Sequence, residues 1–335
     1  MQKFYVQHPG KVIEATGSLK HIMAITLDPT SNYKEGVVRC ITSREGEVDV
    51  RGYVDRSELR LIHGDSLEHF TVGEVLKIKN QDEIIKKIGA DGSDFIGLED
   101  PDIVIDEKTG LTHLYFTMPF MKFDPVAGKK RTTVHLGHAV GKDLHSLEMT
   151  MPVLMDGAKE VSIAPLNSQG FRYNLIESWR KVRDRVYSVV QTVVAEDLTG
   201  PWEYGDVAFH PAEHSLPWVA EHISTGPLLP KSFIDIGEGK LLGIINGREA
   251  STMVGEKQKY GIFSVGVCIY NFETGKIEWV SPEPLIRDSE ATNITFASHF
   301  VETEPGKGVL YAHVDDSFVR AYTLEADILK SLLPR

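Results

Sequence analysis

Short apolar runs separated by Gly, Asp and Pro dominate the chain, and their period is that of β-strands. Val37-Val38-Arg39-Cys40-Ile41-Thr42, Thr112 to Thr117, Arg183 to Val190 and Val265 to Tyr270 are rich in β-branched and aromatic residues. Helical spacing is confined to two places. One is Gln81 to Ile88; the other closes the chain at Leu324 to Leu333, where Leu324, Ile328, Leu329 and Leu332 form a stripe behind Thr323 as a cap. The chain reads as all-β.

The strands recur as a unit. A polar or acidic cluster, a turn and a Leu/Tyr/Ile-rich strand appear around Val38, Thr112, Arg172, Lys240 and Val309, at a period of about 60–75 residues. A turn placing Asp shortly before Leu recurs at Asp65, Asp143 and Asp197, as a tight loop before an outer strand requires. A repeated β-meander buries its faces only against its neighbours, so five copies predict a five-bladed β-propeller with a short C-terminal helix, one domain over residues 1–335. A long sandwich is the alternative that pattern alone leaves open. In a propeller, polar residues at the strand starts converge on the axis, where carboxylates from different blades can face one substrate.

Composition narrows the function classes. The 335 residues are 41% hydrophobic and 25% charged, with a net charge of -12 and no basic block, which argues against a groove built on phosphate neutralisation and hence against nucleic acid. No uncharged apolar run approaches the ~18 residues of a membrane helix, and the start Met1 to Pro9 lacks the apolar segment of a secretory signal, so a cytoplasmic protein without a membrane partner is expected. Cys40 and Cys268 are too few for a disulfide framework or a zinc site and are expected to be buried packing residues. Neither a Gly-rich phosphate loop nor a Ser elbow occurs. The thirteen histidines, among them His135, His138, His222 and His299, show no ligand spacing, so neither metal nor cofactor is expected.

The chemistry concentrates at Glu99-Asp100-Pro101, between a glycine-bearing loop (Gly92 to Gly97) and the strand Ile103-Val104-Ile105. Two carboxylates at the mouth of a strand, stiffened by proline, are poorly solvated, which favours a raised pKa and a general-acid role. Trp179 and, less so, Trp218 are candidates to stack on a ligand ring.

These residues carry a family resemblance. Gly97-Leu98-Glu99-Asp100-Pro101-Asp102-Ile103, Lys159 to Pro165 leading to Ser178-Trp179-Arg180, Asn246-Gly247, and Val309 to Leu324 with its following helix resemble successive blade motifs of glycoside hydrolase family 130, the mannoside phosphorylase family. The five-bladed glycosidases of families 43 and 32 share the architecture. The resemblance implies cleavage of a β-mannoside or related glycoside with inversion, Asp100 being the proton donor and Glu99 orienting it or binding a sugar hydroxyl. It also implies an oligosaccharide substrate and, in a phosphorylase, orthophosphate held by Arg44 and Arg180, with Arg248 at a comparable strand end; Asn246 and Asp316 fall in the substrate-binding motifs. Two positions depart from the pattern: Asp102 stands where the family has Arg, and Ile245-Asn246-Gly247 where it has Tyr-His-Gly. A hydrolase needs a second carboxylate as base instead, and Glu160, Glu177 and Glu221 are the candidates. The alternative class is a non-catalytic propeller that binds a glycan or a protein at the same funnel. Sugar, linkage and oligomeric state are not readable.

Overall fold

The computed structural model describes residues 4–17, 19–125 and 128–334. Five antiparallel sheets, blades I to V, stand around one axis, each starting with a strand on that axis and stepping outward. Blade I is His21–Leu27, Glu35–Glu45, Val54–Ser66 and His69–Val75, and blade II is Glu99–Ile105, Thr112–Asp124, Lys129–Gly141 and Glu148–Met149, with Asp94–Phe95 also paired to its second strand. Blade III is Lys159–Ser162, Arg172–Val182, Arg185–Ala195 and Glu203–Phe209; blade IV is His222–Leu228, Lys240–Arg248, Phe263–Asn271 and Lys276–Val280. Blade V takes Thr295–Glu304, Lys307–Val314 and Phe318–Glu325 from the end of the chain and Tyr5–Glu14 from its beginning, paired from Tyr5 opposite Leu324 to Glu14 opposite Phe318 with register shifts between Gln7 and Ile13.

A sheet that twists and wedges against its neighbours buries both faces, which explains the continuous apolar runs. The core divides accordingly into clusters lying between blades. Val37 and Leu59 meet Leu114 and Phe116 between blades I and II, Tyr115 and Leu136 meet Ile176 and Val193 between II and III, and Leu175 and Val190 meet Ile223 and Ile245 between III and IV. Leu242 and Val265 meet Leu310 and Tyr322 between IV and V, and Ile22 and Val38 meet Tyr311 and Val319 between V and I, closing the ring.

The recurring strand seen in the sequence is the second of each blade; the axis is lined by the strand before it, which is the shorter of the two in blades I to IV. Gln81–Ile88 is the helix expected, and both cysteines are buried, burial pushing each thiol up to about 12. The C-terminal helix is shorter than expected. Leu324 continues the ladder opposite Gly308 and is fully buried, Thr323 pairs with Val309, and the helix is only Ala326–Lys330 with Glu325 at its N-cap. Cross-strand pairing from two neighbours outweighs the helical stripe there. Asn246-Gly247 lies inside a strand, and a Cβ on Gly247 would meet the Trp218 ring at 2.6 Å, so Trp218 is a packing residue. Among the described residues no helix is long and apolar enough to cross a membrane.

A buried arginine adds a side-chain tie to the closure of the ring. Arg320, 1% exposed, pairs with Asp288 at 2.8 Å and with Glu290, and donates to the carbonyls of His8 and Pro9 at 3.0 and 3.1 Å, fastening the first strand to the last sheet. Removing one partner of such a pair leaves buried charge uncompensated. Arg320→Ala should lower the unfolding free energy by about 3–5 kcal/mol, read from denaturant titration; a loss under about 1 kcal/mol, as for a surface ion pair, would refute the assignment.

Candidate active site in the axial funnel

Three of the five axial strands share one local distortion. The register slips between Met23 and Ile25, Glu99 and Asp102, and Lys159 and Val161, and in each slip one non-glycine residue takes the left-handed conformation: Ala24 (φ 47°), Asp100 (φ 47°) and Glu160 (φ 48°). A bulge re-aims its side chain, and a left-handed non-glycine residue costs free energy that only the surroundings can hold in place. Asp100 and Glu160 thus occupy equivalent positions on adjacent blades, and both line the axis. Gly97 makes this approach possible at blade II, since at φ 153° a Cβ there would sit 2.2 Å from the Ser57 carbonyl oxygen.

Above this level the axis opens into a funnel of about 660 Å³; below it lies a second cavity of about 780 Å³, and Asp100, Glu160 and Phe296 line both. Two cations organise the funnel floor. Arg39 of blade I reaches Glu99 at 2.7 Å and Asp100 at 2.9 Å and donates from Nε to Ser57 Oγ at 2.9 Å. Burial works against its charge, but Glu99, Asp100 and Asp316 outweigh burial and raise its pKa. Lys159 of blade III lies 3.3 Å from Glu177 and 3.7 Å from Glu160, and these acids raise its pKa against the pull of burial.

The carboxyls respond differently. Burial, together with the charges of Asp100 and Glu177, lifts Glu160 well above the carboxylate range against Lys159, while Ser224 Oγ donates to its Oε2 at 2.6 Å. Burial and the Asp100 charge push Glu99 up to about 7 despite Arg39. Glu177, 1% exposed, goes the other way: burial would raise it, but His222 at 3.1 Å and Lys159 bring it down to about 2. His222 is itself held down to about 4 by burial, so it serves Glu177 as a neutral N–H donor. Burial pushes Asp102 up to about 7 against a hydrogen bond from the Ile103 backbone N–H.

The remaining expected site residues divide. Asp316 lines the funnel, buried, and despite that burial its pKa is lowered by His313 and by Arg39 and Arg44. Trp179 and Glu221 also line it, Glu221 accepting from the backbone N–H and hydroxyl of Ser251 at 3.0 and 2.7 Å. Arg248 lines it with its guanidinium 4.1 Å above Tyr260 and 5.2 Å above Phe263, and its buried Nε has no hydrogen-bond partner. Arg44 does not line it; a bidentate pair with Asp55 at 2.7 and 2.6 Å uses its fork. Arg180 stands outside the funnel lining and donates to the Trp179 carbonyl at 2.8 Å. Asn246 is fully buried and bonded in both directions to the Ala297 backbone at 3.0 and 2.8 Å, stitching blade IV to blade V. Sequence reasoning missed Arg39, Lys159, Ser224 and His313. The available signal for Arg39 was a lone charge inside Val37-Val38-Arg39-Cys40-Ile41, since a buried Arg is retained only when paired.

The mouth is narrowed by a clasp between non-adjacent blades. The loop of blade I reaches the hairpin Thr252–Val254/Lys257–Lys259 of blade IV through a Val50–Lys259 bridge, Arg51 N–H to the Gln258 carbonyl at 3.0 Å, and Lys257–Glu47 and Lys259–Asp49 pairs, both at 2.8 Å. Among the described residues no cluster of three or more His, Cys, Asp or Glu side chains could hold a metal ion. What the floor can do is hold a proton on one carboxyl beside an ion-paired carboxylate, within a concave polar pocket.

The sequence matches no family model and no curated protein sequence. Solved structures of low sequence identity share the fold. A β-1,2-mannobiose phosphorylase from Listeria innocua in complex with β-1,2-mannobiose superposes with a TM-score of 0.64 at 12% identity, covering 98% of this chain and 99% of that one. A glycosyl hydrolase from Bacteroides ovatus gives 0.66 at 16% identity over 96% and 94%, and a mannose phosphorylase from Leishmania mexicana in complex with a phosphate ion gives 0.55 at 12% over 98% and 91%.

The raised Asp102 makes a pH prediction. A carboxyl whose folded pKa lies above its unfolded value binds more protons in the fold, so the stability it contributes is complete below the ordinary carboxylate range and is lost as the pH rises through about 7. Asp102→Asn removes that loss. Its melting temperature should exceed that of the unsubstituted protein by about 2–4 °C near pH 8 and match it near pH 4; a difference that does not vary with pH would contradict the assigned environment.

Proposed function

We propose that the funnel hydrolyses the glycosidic bond of a β-mannoside or related oligosaccharide with inversion, Glu160 giving the proton to the leaving oxygen and Asp100 taking one from the attacking water. The observation that carries this reading is the matched pair of bulges: two carboxyls in one backbone setting on neighbouring blades, one lifted well above the carboxylate range and the other ion-paired to Arg39. Opposite environments for two facing acids are what divides acid from base. The resemblance assigns the donor role to Asp100; the electrostatics favour Glu160. Glu177 is too deep and too strongly stabilised as an anion to be a good base, and it supports Lys159 instead.

Hydrolysis is preferred to phosphorolysis on charge. Seven carboxyl side chains line the funnel against four Arg or Lys side chains, and Arg39 and Lys159 are each shared between two of those acids. A phosphate dianion needs free donor forks, and here it would have to displace carboxylates to obtain them. Phosphorolysis remains the second reading because of Arg248, which faces the funnel without an ion pair among the described residues. Trp179, Tyr260 and the clasp would then bound the sugar subsites.

A panel of β-manno-oligosaccharides, with and without phosphate, tests the reading by product. Free mannose that forms at a rate indifferent to phosphate is expected; mannose 1-phosphate formed only with phosphate would overturn hydrolysis, and binding without turnover would overturn the enzyme itself. Asp100→Asn and Glu160→Gln should each lower kcat on mannobiose by about 10²–10⁴-fold. On a nitrophenyl mannoside, whose leaving group needs no proton, Glu160→Gln should recover most of its rate and Asp100→Asn little. The reverse pattern would exchange the two roles.

A further inference from the structure

Charge is divided unevenly around the funnel rim. On the side of blades I and IV the lysines are matched, Lys257 and Lys259 each holding an acid of the clasp at 2.8 Å. On the side of blades II and III they are not. Residues 122–131, at the tip of the blade II hairpin, hold four Lys or Arg against one Asp, and residues 180–185, at the tip of the blade III hairpin, hold the same ratio, in a chain whose net charge is -12. Lys122 is paired with Asp91 at 3.0 Å, and Arg131 with Asp124 at 3.7 Å. Lys129, Lys130, Lys181, Arg183 and Arg185 are exposed, and among the described residues their side chains have no hydrogen bond or ion pair. Each basic run is too short to stand out in the sequence; the fold brings both to one rim.

Strand geometry aims two of these cations along the funnel wall. Partners across an antiparallel ladder share a face, and faces alternate along each strand. Met121 and Thr132 are partners and both line the funnel; the next rung on that face pairs Phe123 with Lys130. In blade III Trp179 and Ser188 line the funnel, and the next rung on their face pairs Lys181 with Val186, itself a lining residue. Lys130 and Lys181 therefore continue the wall past the mouth, each beside an exposed apolar side chain, Phe123 being 59% and Val186 53% exposed. Unmatched like charges on one rim repel, and a ligand of opposite sign relieves that repulsion. A uronate carries its carboxylate at the edge of the sugar ring and leaves an apolar C–H face bare, which a cation beside an apolar side chain can meet with both its parts. We propose that the rim of blades II and III binds the outer units of an acidic glycan of uronate type, with Lys130 and Lys181 against its carboxylates, while the acid-rich floor takes an uncharged unit. This rests on the reading of the funnel as a glycan site.

Calorimetric titration with β-1,4-linked mannuronate oligomers and with β-1,4-linked manno-oligosaccharides of equal length isolates the carboxylates. It compares the unmodified protein, the rim variant Lys130→Glu/Lys181→Glu, and Lys108→Glu/Lys276→Glu, which makes the same change of net charge at exposed turns on the opposite end of the blades. On the unmodified protein the acidic oligomer should bind about tenfold more tightly than the neutral one in low salt, as a few exposed ion pairs supply. That gap should close near 1 M salt, where screening reaches in to about 3 Å. The rim variant should lose the gap and the turn variant keep it. Neutral and acidic oligomers bound equally tightly would overturn the proposal, as would equal losses in the two variants, which mark an effect of net charge. A single-stranded polynucleotide bound as tightly as the mannuronate, and lost with the same rim substitutions, would overturn the glycan as the partner. Failure of both oligomers to bind would instead remove the reading of the funnel as a glycan site, and this inference with it.

Discussion

Two cations on the axis, Arg39 and Lys159, decide what the inner strands can hold between them. Each comes from a blade flanking the Glu99-Asp100 bulge, each is shared by two carboxyls, and neither is replaceable by water at that depth. Buried acids exist as anions only where paired. The floor holds Glu99, Asp100, Glu160 and Glu177 against those two cations, so full ionisation would leave uncompensated negative charge. The deficit shows in Glu160, lifted well above the carboxylate range, and in Glu99, pushed up to about 7, while Glu177 is brought down to about 2 by His222 and Lys159. General-acid character here is a property of the charge balance of the floor more than of any one residue.

Backbone geometry delivers that balance. One bulge, repeated on three successive axial strands, carries Ala24, Asp100 and Glu160, so the same local fold presents a methyl group and two acids. Where the bulge holds Ala24, its N–H donates to His313 Nδ1 at 3.3 Å, which places blade V's histidine against blade I. The repeat builds the frame; substitution within the repeat builds the site. Strain at two acidic positions and its tolerance by a rigid ring are consistent with that division.

Much of the frame was legible because the second strand of each blade is long, apolar and regularly spaced. The strands that matter chemically are short and polar, Lys159–Ser162 having four residues, and periodicity does not detect them. Asp100 and Glu160 show as acids at strand starts, whereas Glu177 lies in the middle of Arg172–Val182. Their partners do not show: Arg39 looks like one charge in a strand, and Lys159 is overshadowed by the adjacent glutamate. Arg44 and Arg180 failed as free donors for a reason the sequence does not encode, namely that Asp55 and a main-chain carbonyl reach them first. The terminal leucines misled in the opposite way, since Leu324 satisfies a helical stripe and a strand ladder equally well until Gly308 and Tyr5 are known to lie beside it.

The pairing of Tyr5–Glu14 with Phe318–Glu325 imposes an order in time on synthesis. Tyr5–Glu14 is made before the rest of the propeller and acquires its place last, after roughly 300 further residues, a wait on the order of 15–60 s at ordinary elongation rates. Through that interval blades I to IV can stack as they emerge, while the leading segment carries unsatisfied main-chain groups. A nascent chain of this design is exposed to capture by a neighbouring chain's final blade, so exchange of the first strand between copies is the misassembly its topology most readily permits.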